Sequence, residues 1–137
     1  MAPRRVVLDA SAVLAWVRRE RGAETVRQLF PHAVIAAPNL TESLYRARAT
    51  GHRMSSAQLQ ASIVAMGAEI EAFGEADAAT AADLLHYSAE HPGPDGGRIS
   101  LGDACCLAVA ERLQLPVAGD DRAWTDLPLA VSFHRFR

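Results

Sequence analysis

Short apolar runs that read as buried strands alternate with helical patterns along this chain, and that alternation most restricts its fold. Arg5 to Leu8 is continuous and β-branched, as strands covered on both faces are. From Ser11 to Arg19 the period changes, with Val13, Trp16 and Val17 at the i, i+3, i+4 spacing of a helix. Gly22 interrupts, and Ala23 to Phe30 makes a second helix that Pro31 stops. Ala33 to Ala37 is the next strand, after which Pro38 and Asn39 open a helix through Ala49 that ends at Gly51. Ser55 or Ser56 caps a helix to Met66 and Gly67, and Ala68 to Phe73 is a third strand. Glu75 to Glu90 is an alanine-rich helix, and the Pro- and Gly-rich stretch from His91 to Arg98 is a loop. Ser100 to Leu113 is a further helix, with fourth and fifth strands at Pro116 to Gly119 and Ala130 to Phe133. The pattern predicts an α/β fold with a five-stranded, mainly parallel sheet and helices on both faces. With 137 residues and no repeat or linker, one domain over 1–137 is expected.

Half of the residues are hydrophobic, which suits a globular core. No apolar run has the length of a membrane span, and Met1 to Arg5 lacks a signal-peptide core. Cys105 and Cys106 are adjacent inside a helical pattern, a spacing that fits neither a disulfide framework nor a zinc knuckle. Two packed core thiols and a reducing, cytoplasmic setting are the expectation. All 14 Lys and Arg residues are arginine, so chemistry that needs a lysine, such as a Schiff base or a P-loop, is excluded. The net charge of −2 predicts no strong general attraction to nucleic acid.

Four acids stand where a strand ends or a helix begins: Asp9, Glu42, Asp103 and Asp121. Each has an ordinary structural explanation. Asp9 can cap the helix that follows it. Glu42 lies three residues after Asn39, as in a capping box, and four before Arg46, as in a surface ion pair. Asp103 lies three after Ser100, again a capping-box spacing that also suits the helix dipole. Asp121 can cap the short turn Arg122-Ala123-Trp124.

Their joint placement says more. Ligands of open α/β sheets bind beyond the carboxyl ends of the strands. Carboxylates meeting there repel, by roughly 4 kcal/mol per pair at about 4 Å and an effective dielectric of 20. A hard divalent cation with oxygen ligands offsets that repulsion, activates water and stabilises charge on a phosphate under in-line attack. The combination suits phosphodiester hydrolysis.

Val7-Leu8-Asp9-Ala10-Ser11-Ala12 resembles the opening motif of PIN-domain nucleases, especially the VapC toxins of bacterial toxin–antitoxin pairs. Leu101-Gly102-Asp103-Ala104-Cys105-Cys106-Leu107-Ala108 is similar to their third acidic motif, and Asp121-Arg122-Ala123-Trp124 to the fourth. Glu42 falls where their helical glutamate belongs. The resemblance covers essentially the whole chain and implies a PIN-like three-layer sandwich. It implies a Mg²⁺- or Mn²⁺-dependent endoribonuclease, usually dimeric, held inactive by a cognate VapB-like antitoxin. Carried across, Asp9 and Asp103 are the principal metal ligands, and Glu42 and Asp121 complete the acidic cluster. Ser11 matches the hydroxyl that orients the first acid or a water on the metal. Gly119 departs from the Thr or Ser common in the family, which removes a hydroxyl that could hydrogen-bond a metal-binding acid. Asp120 beside it is expected to face solvent.

The remaining candidates are weaker. His32, His52, His86, His91 and His134 show no helical ligand spacing, and Ser11 has no His–Asp partnership for a serine nucleophile. Most arginines read as solvated helix faces: Arg18, Arg19 and Arg21 on the first helix, Arg46, Arg48 and Arg53 on the third. Arg122, beside Asp121, is the best placed to grip an RNA phosphate. Trp16 and Leu44-Tyr45 fit either an interface or the core. A catalytically silent PIN-like module that only binds RNA or protein is the alternative. A receiver would need a lysine, and a haloacid-type phosphatase a second Asp at the position of Ser11. The RNA target is not legible in the chain.

Overall fold

The computed structural model describes residues 4–119, 124, 127–129 and 131–137. Five strands, β1 (Val6–Leu8), β2 (Ala33–Ala36), β3 (Glu69–Glu71), β4 (Val117–Ala118) and β5 (Phe133–His134), form one sheet in the order β3-β2-β1-β4-β5. The expected sheet is thus present, and all of these pairings are parallel. Between the strands run α1 (Ala10–Val17), α2 (Ala23–Leu29), α3 (Ala37–Ala49), α4 (Ser56–Ala65), α5 (Glu75–Glu90) and α6 (Leu101–Leu113).

The strands are apolar at successive positions because they feed two cores. Val6, Leu8, Ala33, Ile35 and Ala118 face a cluster built with α1 to α4. Val7, Val34 and Val117 face a second cluster, built with α5 and α6. The two-residue period of a strand divides them this way and makes three layers. Val7, Leu8, Val34, Ile35 and Val117 are completely buried, each stabilising the fold by about 1.5–3 kcal/mol relative to exposure. Trp16 belongs to this interior, meeting the Phe30 ring edge-on at 4.9 Å, and Leu44 is buried beside it, whereas Tyr45 is exposed. Cys105 and Cys106 are free and buried in α6, as expected.

Local chemistry fixes the helix ends. Ser55 caps α4 in a reciprocal capping box with Gln58, and Ser100 does the same for α6 with Asp103. Gln114, in the left-handed region, closes α6. Several boundaries differ from expectation. Pro31 sits inside a single 3₁₀ turn, Phe30–His32, which carries the chain from α2 to β2. α3 starts at Ala37, so Pro38 lies in its first turn and Asn39 is already helical, while Arg53 lies beyond its end. β5 comes later than Ala130 to Phe133, because β4 pairs Val117 with Phe133 and Ala118 with His134; Ala130 itself is outside the described residues.

One ionic clamp ties α6 to α5 and the β3 edge. Arg112 donates from Nε and Nη2 to the two oxygens of Asp77 at 2.7 and 3.2 Å, and from Nη1 to Glu71 at 3.0 Å. Asp77 is buried and also accepts the Gly74 N–H at 3.0 Å, capping α5. The Arg112 guanidinium holds the Asp77 carboxyl below its ordinary range, against the opposing effect of burial.

Candidate functional site

The chain lays β2 and β3 on one side of β1, then returns to place β4 and β5 on the other. The reversal falls between β1 and β4, the position where open α/β sheets hold ligands. Asp9 directly follows β1, and its N–H donates to the carbonyl of Ala118 at the end of β4 at 3.2 Å. α3 grows from the end of β2, and the first turn of α6 packs against it.

Asp9 is only 3% exposed and is the N-cap of α1. Its Oδ1 accepts the Ala12 N–H at 2.9 Å, and the Ser11 hydroxyl donates to Oδ1 and Oδ2 at 2.7 and 2.8 Å. Capping and a role in the site are therefore not alternatives: the cap and Ser11 fix the orientation of the carboxylate, and the helix dipole favours its charge. Asp103 is held similarly in the first turn of α6. Its N–H donates to Ser100 Oγ at 3.1 Å, and its Oδ2 accepts the Ser100 N–H at 3.0 Å.

Glu42 reaches the same region along a different route. The capping box expected between Asn39 and Glu42 does not form, because Asn39 lies inside α3 and its amide has another partner. Asn39 Nδ2 donates to the Gly102 carbonyl at 3.0 Å, which ties α3 to α6. Glu42 makes the expected pair with Arg46, at 3.1 Å. Its Oε1 occupies the space that a Cβ on Gly102 would need. Gly102 and Asn39 are thus site-building residues that sequence reasoning missed. A glycine in the first turn of a helix was the available signal for the first; nothing local announced the second.

The Cys106 thiol is buried in α6, the helix whose first turn holds Asp103. Burial pushes it well above its ordinary pKa, and Asp9, Asp103, Cys105 and Glu42 each push it further the same way. Cys106 stays protonated and adds no thiolate to the donor set.

Gly119 has a steric explanation. A Cβ there would lie 2.5 Å from Cζ3 and Cη2 of Trp124 and 2.8 Å from Oδ2 of Asp9. Trp124, 2% exposed, fills the space where a hydroxyl side chain was expected. Asp120, Asp121 and Arg122 lie outside the described residues.

The donor chemistry fits a hard cation: Asp9, Glu42 and Asp103 offer carboxylate oxygens, and the buried Oδ1 of Asn39, beside Gly102, has no hydrogen-bond partner among the described residues. Among the described residues, no three His, Cys, Asp or Glu side chains are grouped closely enough to hold a metal ion. Mg²⁺ is ordinarily held by one or two carboxylates plus waters, a number that Asp9 and Asp103 meet. His91 stacks on Tyr87 at the end of α5, with ring centroids 4.1 Å apart.

The PIN-domain family model matches residues 6–128. The chain belongs to the PIN-domain family. Its fold is similar to that of a DNA-bound VapBC complex from Salmonella typhimurium, with a TM-score of 0.73, 13% identity, and coverage of 98% of this chain and 100% of that one. It is also similar to VapBC2 from Rickettsia felis bound to a fragment of promoter DNA, with a TM-score of 0.70, 13% identity, and coverage of 95% and 97%. A sarcin-ricin-loop-cleaving VapC toxin of Mycobacterium tuberculosis gives a TM-score of 0.64, 14% identity, and coverage of 85% and 89%. No curated protein matches by sequence. In this PIN domain, no helix among the described residues is long and apolar enough to cross a membrane.

Proposed function

We propose that this PIN domain is a metal-dependent endoribonuclease, the toxin of a type II toxin–antitoxin pair, which hydrolyses RNA phosphodiester bonds. The observation that carries the reading is the placement of Asp9 at the sheet's switch point, with Glu42 packed against Gly102 in the first turn of α6, the turn that holds Asp103. The similar VapBC complexes, and the toxin described as cleaving the sarcin-ricin loop, support the biological assignment. On this reading the domain spans 1–137, acts in the cytoplasm, pairs with a second copy of itself and is restrained by a VapB-like antitoxin.

Asp9 and Asp103 would hold Mg²⁺ or Mn²⁺. The bound ion would lower the pKa of water and offset charge on the phosphate under attack. The chain's own contribution is preorganisation. Ser11 and the Ala12 N–H fix the rotamer of Asp9, and Ser100 fixes that of Asp103. Gly102 leaves room for the Glu42 carboxylate, and Arg46 steadies it from the solvent side. Asp121 would complete the acidic cluster, and Arg122 would grip an RNA phosphate. The Trp124 ring packs against Gly119, whose other neighbour is the buried Asp9 carboxylate.

The test is incubation of the purified protein with tRNA and rRNA-derived stem–loops, with Mn²⁺ or with EDTA. Cleavage in Mn²⁺ that EDTA stops and Asp103→Asn abolishes is the expected result. RNA binding without cleavage in either condition would overturn it in favour of the catalytically silent module.

A further inference from the structure

We propose that the cavity beside α2, between the start of β1 and the C-terminal tail, binds a nucleoside phosphate. The cavity measures about 390 Å³, within the range of roughly 300–1,000 Å³ typical of small-molecule sites. Its floor comes from the buried strand ends at Val6, Pro116 and Ala118, and its walls from Leu29 and Phe136. Its charged lining is of one sign. Arg4, Arg5 and Arg135 surround it, His134 joins them, and among the described residues no carboxylate lines it, in a chain whose net charge is −2.

Arg5 is already engaged, because it pairs with Glu69. Arg4 and Arg135 are exposed and form no ion pair or hydrogen bond among the described residues. Two uncommitted guanidiniums over an apolar floor call for a ligand with an anionic end and a flat, weakly polar body. The planar guanidinium fork matches phosphate, and His134 and Arg135 offer faces on which a base stacks. An acidic peptide would satisfy the rim and leave the floor without an equivalent body.

The cavity is separate from the acidic cluster. Arg5 and Asp9 lie at opposite ends of β1, four residues and about 13 Å apart. The two regions meet at Ala118, which lines the cavity and accepts the Asp9 N–H through its carbonyl. The shared chemistry has two sources, a free nucleotide or a nucleotide within bound RNA. The inference stands apart from the hydrolytic reading, because binding is measured without metal.

The experiment titrates the full chain, in EDTA, against a fluorescent N-methylanthraniloyl AMP. Saturable binding is expected, weakened at least tenfold by Arg4→Ala with Arg135→Ala and by the cavity-filling Leu29→Trp, and unchanged in Asp9→Asn. Thermal melting of each variant verifies its fold. Stronger competition by hexa-adenylate than by AMP assigns the site to RNA; competition by AMP alone assigns it to a free nucleotide. Absence of saturable binding at millimolar AMP, indifference to the arginine substitutions, or equal displacement by poly-glutamate overturns the proposal.

Discussion

Gly102 occupies an ordinary helical position in the first turn of α6, yet the side of its Cα is filled by Glu42. A methyl group placed there would overlap Glu42 Oε1, while its other neighbours, Glu42 Cδ and Ser100 Oγ, lie at comfortable distances of 3.6 and 3.7 Å. Gly102→Ala therefore strains one atom, the far end of a flexible and half-exposed side chain. Restoring a carbon–oxygen contact of about 3.5 Å requires the carboxylate to retreat by about 1 Å. The backbone gains instead, since alanine is favoured over glycine inside a helix by about 0.5–1 kcal/mol. The variant should melt at the same temperature as the wild type or slightly above it. A displacement of about 1 Å at a reacting centre costs roughly 10²-fold in rate, so Mn²⁺-dependent RNA cleavage should fall by about that factor. The measurement pairs a thermal melt with single-turnover cleavage, and Glu42→Gln serves as the reference for loss of the carboxylate itself. Full activity with unchanged stability would refute the role given to Glu42. Lost activity with a lower melting temperature would refute the claim that only Glu42 is displaced.

Gly119→Ser restores the hydroxyl expected from the family resemblance but drives its Cβ into Trp124 and Asp9. Overpacking of this kind should destabilise the protein by about 1–3 kcal/mol in urea melts, and Trp124→Phe in the same chain should recover part of the loss. Equal stability of Gly119→Ser and wild type would contradict the steric reading. Asp77 should dominate the acid limb of stability. Its pKa is lowered in the fold, so its contribution is complete above its ordinary value of 3.8 and disappears as pH falls through the lower folded value. Asp77→Asn should therefore cost about 1.5–3 kcal/mol at neutral pH, toward the low end because the Arg112 side chain is 36% exposed, and should flatten the acid limb of the curve.

What the sequence disclosed, and what it did not, divides by distance along the chain. α5 was legible to the residue and α4 and α6 nearly so, because periodicity and the Ser55 and Ser100 capping signals act within one turn. The sheet was legible in kind because buried strands alternate with helices. The two-residue strand β5 was misplaced because its position depends on pairing with β4 and not on its own residues. Asp9 and Asp103 stood out through local motifs, and the structure supplies caps for both. The Asn39–Glu42 box failed because the partner of Asn39 is Gly102, which no local pattern reveals. The Arg112 clamp joins residues far apart in sequence and escaped notice for the same reason. Gly119 read as a missing hydroxyl because the ring filling its space belongs to Trp124.

The central claim is that Asp9 and Asp103 hold a divalent cation. Titration of the metal-free protein with Mn²⁺, followed by electron paramagnetic resonance of the free ion, tests it without needing the RNA target. Wild type should take up Mn²⁺, and Asp9→Asn and Asp103→Asn should each remove most of that uptake. Ser11→Ala, which only loosens Asp9, should weaken it by about 10–100-fold or less. Uptake that persists undiminished in both aspartate variants would contradict the account.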